Sequence, residues 1–92
     1  MNTIATVTEY HRPTRATVTY SLAATPAGAL VIQQNLVIDG AEVASSTVAT
    51  AEVAGYVTTR AFVRRFFAEA GVTAPAEDVE AIAEAAFTAL YG

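Results

Sequence analysis

Residues 15–45 read RATVTYSLAATPAGALVIQQNLVIDGAEVAS, and the alternation in this stretch decides the fold class. From Arg15 to Ala24, Ala16, Val18, Tyr20 and Leu22 fall on one side of an extended chain, and Arg15, Thr17, Thr19 and Ser21 on the other. A period of two with a Thr-rich polar side describes a half-buried antiparallel strand. Thr25-Pro26-Ala27-Gly28 then turns the chain, Pro fixing φ and Gly relaxing it. A second strand runs from about Ala29 to Ile38, with Leu30, Ile32, Leu36 and Ile38 on one face and Gln34 interrupting them. Asp39-Gly40 suits a type I′ hairpin, whose two central residues both need positive φ. The register expected across that turn sets Ile38 against Ala41, Leu36 against Val43 and Gln34 against Ser45. Gln34 on an apolar face calls for a sheet edge, a bulge or a cross-strand hydrogen bond.

An earlier strand is expected over about Thr3–Tyr10, although Ile4 and Val7 fall on opposite faces. His11-Arg12-Pro13-Thr14 ends it, because Pro cannot donate to a ladder. Residues 45–57 read either as more strand, to about Thr50, or as the first turns of a helix, with Gly55 against the helix. After that the period changes. Tyr56, Thr59, Val63, Phe66, Phe67 and Ala70 share a helical face with Phe62 and Val53 at its margins, and Gly71-Val72 suits a Schellman cap. A final helix opens at Pro75, carries Glu77 and Asp78 in its first turn, and buries Val79, Ile82, Ala83, Ala86, Phe87 and Leu90.

The expected architecture is therefore α+β: an antiparallel meander of three or four strands, then a helical hairpin packed on one sheet face. All 92 residues form one domain, with strands mainly in 1–50 and two helices in 56–91. The hydrophobic fraction of 53% is enough for one ordered core.

Composition narrows the function classes. There is no Cys, which removes disulfides and thiolate metal sites. Small secreted domains are often stapled by disulfides, so a cytoplasmic location is expected. Residues 1–6 lack the basic start and apolar run of a leader, and no apolar run is long enough to span a bilayer. No Ser lies in a Gly-x-Ser-x-Gly elbow, and the single His11 stands in a loop with no acid beside it. No EF-hand spacing or phosphate-cradling glycine loop occurs. The expectation is a non-enzymatic protein without metal or cofactor.

Charge supplies the candidate contact residues. Glu77, Glu80 and Glu84 lie one helical turn apart and form an acidic stripe. Arg60 and Arg64 are spaced i, i+4 on the other helix, with Arg65 adjoining. The two sets either pair with each other across the hairpin or face a partner. The Thr17, Thr19, Gln33 and Asn35 face of the sheet is a further flat, polar surface. A formal charge of −4 disfavours direct nucleic-acid binding. The first reading is a protein-binding module whose partner is a protein or protein complex. In size and acidity alone, and in no motif, it resembles the small inhibitors of phages and mobile elements, such as anti-CRISPR proteins, that dock on host nucleic-acid-processing machinery. An accessory protein binding nucleic acid through Arg60, Arg64 and Arg65, and a subunit of a homo-oligomer, are the alternatives.

Overall fold

The computed structural model describes residues 2–92. Four strands, β1 (Asn2–His11), β2 (Ala16–Ala24), β3 (Ala29–Ile38) and β4 (Ala41–Glu52), form one antiparallel sheet in the order β1-β2-β3-β4. Helices α1 (Tyr56–Glu69) and α2 (Ala76–Tyr91) follow as a hairpin on one face. The protein is an α+β fold with a four-stranded meander. Among the described residues, no helix is long and apolar enough to cross a membrane.

The Asp39-Gly40 turn has the expected backbone, with φ of 50° at Asp39 and 79° at Gly40. Ile38 pairs with Ala41 as the turn requires, but the register two residues further on differs from expectation. Leu36 faces Ala44 and Gln34 faces Ser46, because Val43 is an extra residue in β4. The bulge expels Val43 to solvent, and a second bulge adds Val48 between the partners of Ile32 and Gln33. Gln34 itself donates to the Tyr20 hydroxyl at 3.1 Å. A third bulge, at Ile4, resolves the mixed pattern of β1. Ala5 faces Leu22 and Val7 faces Tyr20, and the inserted Ile4 still packs on the core. Between β1 and β2 the chain makes a 3₁₀ turn at Arg12–Thr14.

Residues 45–52 are strand, so β4 runs two residues past Thr50. The junction to α1 rests on Gly55, whose φ of 151° and ψ of −173° belong to a region open essentially to glycine alone. Its carbonyl accepts from the Thr59 amide at 3.0 Å and from the Thr58 and Thr59 hydroxyls at 3.0 and 2.7 Å. The Thr58 hydroxyl also accepts from the Ala54 amide at 3.1 Å. Thr59, though polar, can therefore be fully buried. At the other end of α1, Val72 N–H reaches the Phe67 carbonyl and Gly71 N–H the Ala68 carbonyl, which is the Schellman pattern. Pro75 stands at the N-cap of α2, one position before the first turn, with β-region dihedrals that a Pro adopts freely.

The core joins Leu22, Leu30 and Ile32 of the sheet to Phe62, Val63, Phe66 and Phe67 of α1 and to Val79, Ala83 and Ala86 of α2. Phe62 and Val53, placed at the margin by periodicity, are buried. Ile82, Phe87 and Leu90 are only half-buried, contrary to the expected α2 face. Small Ala83 and Ala86 let the helix sit close, and the larger residues flank that line of contact. Phe87 instead completes an aromatic row, 5.8 Å from the Tyr56 ring and 4.8 Å from the Tyr91 ring.

Strand and helix lengths do not match. Strands of nine to twelve residues extend roughly 30–40 Å, whereas helices of 14 and 16 residues cover only about 21–24 Å. The longest dimension of the molecule is 41 Å. The fully buried sheet residues lie towards the Thr25–Gly28 turn, and the Asp39-Gly40 end of the sheet outruns its helical cover.

Candidate functional site

The five candidate contact residues fall into two environments. Arg60 Nη1 lies 3.0 Å from Glu80 Oε1, and Glu80 also accepts a short hydrogen bond from the Tyr56 hydroxyl. The Arg60 guanidinium stands 6.0 Å from the Tyr56 ring centre. These three side chains clasp the first turns of α1 to the second turn of α2. The Tyr56 bond, the Arg60 bond and the field of Arg60 and Arg64 hold the Glu80 carboxyl below its ordinary range. The same bond to Glu80, with partial desolvation and the charges of Glu80 and Glu84, raises the Tyr56 phenol.

Glu77, Glu84 and Arg64 are exposed, and none of the three has an ion-pair partner among the described residues. The stripe thus splits: its central member is engaged inside the hairpin and its two ends project. Arg65 lies near Glu69 of its own helix at 3.9 Å, beyond hydrogen-bond reach, and Arg15 lies 3.6 Å from Asp39.

His11 is exposed at the end of β1, with Nδ1 3.0 Å from the Thr14 hydroxyl. Among the described residues no three His, Cys, Asp or Glu side chains gather as a metal cluster would. On the polar sheet face, Thr19 and Thr8 hydroxyls are 3.3 Å apart, and Asn35 Nδ2 donates to Glu42 at 2.9 Å.

Two concave surfaces were not read from the sequence. One is a depression of about 190 Å³ on the uncovered sheet end, lined by Val18, Leu36, Ala44, Gln34 and Ser46. It lies on the helix side, since Val18 shares the face of Leu22, and Leu36 that of Ile32. The other is an apolar groove of about 320 Å³ between the end of β4 and α1, bounded by Ala51, Glu52, Val53, Ala61, Phe62 and Arg65. The signal for the first was present in the mismatch of strand and helix lengths. The second depends on how the chain turns from the end of β4 into α1, which spacing does not encode.

Compared with protein-family models, curated proteins and solved structures, the chain finds no match.

Proposed function

We propose that this protein is a non-enzymatic protein-binding module that docks through the uncovered end of its sheet. The observation carrying this reading is the row Val18, Leu36 and Ala44, apolar and on the helix side, yet beyond the reach of the helices. Apolar side chains left uncovered on the core side of a sheet offer a surface that a partner can bury. Gln34 and Ser46 supply a polar rim. Glu77 and Glu84 add a second, acidic surface suited to a basic region of the same partner. The narrower reading, a cytoplasmic inhibitor of phage or mobile-element type acting on a nucleic-acid-processing complex, is supported by small size and acidity alone.

The arginine environments favour a protein partner over direct nucleic-acid binding. Arg60 is engaged by Glu80 inside the hairpin at 3.0 Å, which lowers the field it offers to phosphates, and the formal charge of −4 acts in the same direction. The test compares wild-type protein with Leu36→Glu as baits in cells that encode it, followed by mass spectrometry. One macromolecular partner retained by wild type and lost by folded Leu36→Glu is the expected outcome. Equal recovery by both would refute docking at the sheet end. Self-association abolished by Leu36→Glu, measured by light scattering, would instead identify a homo-oligomer. Charge reversal of Glu77 and Glu84 should slow association with a basic partner and leave the melting temperature nearly unchanged.

A further inference from the structure

The groove between β4 and α1 has the parts of a strand-docking site. β4 is an edge strand, so one side of its backbone is unpaired. Its two bulges, at Val43 and Val48, interrupt the edge earlier in the strand. From Ala49 to Glu52 the pairing with β3 is regular, so this part of the edge is straight enough to accept a further strand. An added strand would lie along the groove between β4 and α1, and alternate side chains would point to the helix side. There they meet Ala61, Phe62 and Val53.

Charge selects among such strands. Arg65 lines the groove with its side chain more than half exposed, and its contact with Glu69, 3.9 Å from Nε, is beyond hydrogen-bond reach. A guanidinium fork takes a carboxylate in bidentate fashion. Glu52 lines the same groove and opposes a second acidic group.

Resting on the protein-binding reading, we propose that this groove binds an extended peptide segment of a partner by strand addition to Ala49–Glu52. The segment carries an apolar side chain into the groove and a single carboxylate onto Arg65. The test titrates the ¹⁵N-labelled full chain with an acetylated, amidated heptapeptide of alternating Val and Thr bearing one Glu, and with its Gln and Arg counterparts. The Glu peptide should shift the amides of residues 49–52 and 58–65 and bind about tenfold more tightly than the Gln peptide. Arg65→Ala should erase that preference, and Ala61→Trp, a change at an exposed position, should block all three peptides. Shifts confined to other surfaces, equal affinity for the Glu and Arg peptides, or no shifts at millimolar peptide would overturn the proposal. If the peptides fail while Leu36→Glu still loses a protein partner, the groove falls and the protein-binding reading stands. If the peptides bind and Leu36→Glu changes nothing, the sheet-end reading falls instead.

Discussion

Phe66→Ala should cost about twice as much as Phe87→Ala, although both residues fit a helical apolar face. Phe66 is fully buried among Leu22, Leu30 and Ile32, with the Phe67 ring 5.3 Å away. Truncating a fully buried Phe costs about 3–5 kcal/mol through lost transfer energy and the cavity left behind. Phe87 is half-buried and lies outside the main cluster, so roughly half of that transfer energy applies. Two ring contacts, with Tyr56 and Tyr91, contribute about 0.5–1.5 kcal/mol each at most. Exposure of the rings keeps both near the lower end, and the expected total is about 1.5–2.5 kcal/mol. A domain of this size has about 5–14 kcal/mol in all. Phe66→Ala therefore approaches unfolding, and Phe66→Leu supplies a milder measurable variant. Urea denaturation at constant m-value gives the comparison. Equal losses at the two positions, or a larger loss at Phe87, would refute the placement of the core between α1 and the sheet.

Gly40→Val should destabilise the protein by about 1–2 kcal/mol, because φ of 79° is strained for a β-branched residue; a melting temperature equal to wild type would count against the turn geometry. Thr59→Val keeps the shape but removes the hydroxyl bond to the Gly55 carbonyl, which still has two other donors, so a loss of about 1 kcal/mol is expected by chemical denaturation. Glu80 has a folded-state pKa below its unfolded value, so its contribution is fully present above the unfolded pKa and is lost as pH falls through the folded one. Glu80→Gln should flatten that part of the acid limb in a pH series of melting temperatures. Tyr56 has the opposite sign: raised in the folded state, it contributes below the unfolded pKa and loses that contribution as pH rises through the folded one. Ultraviolet titration should show a late-ionising phenol that Tyr56→Phe removes.

Most of the fold was legible in residues 15–45, because strand alternation and a Gly turn are local signals. A bulge was one of three readings open at Gln34, but the positions of the bulges were not legible. The expected register put Val43 opposite Leu36, and nothing in the sequence around Val43 distinguishes an inserted residue from a paired one. The extent of β4 was ambiguous because Ala and Thr suit either strand or helix there. The deciding element was the Gly55 junction, whose backbone no strand or helix pattern reveals. The α2 face was only partly legible for a different reason. Periodicity gives the side of a helix that faces inward, but the depth reached by Phe87 or Ile82 depends on the closeness of Ala83 and Ala86 to the core. For the candidate site, spacing placed Arg60 and Glu80 on facing helices. It gave no sign that the Tyr56 hydroxyl would join them, since that meeting depends on the crossing of α1 and α2.

The meander has a kinetic consequence. Every strand pairs with its neighbour in sequence, so the sheet can assemble by successive short loop closures, each with a modest entropic cost. The seating of α2 against β1 is different, because it joins segments separated by most of the chain. A step of that kind is expected late, after the hairpins have formed. Substitutions at the α2 contact with β1 should then mainly accelerate unfolding, whereas Gly40→Val should mainly slow refolding. The same sheet that leaves one end bare would thus be the part that organises first, and the helix farthest along the chain would act as its latch.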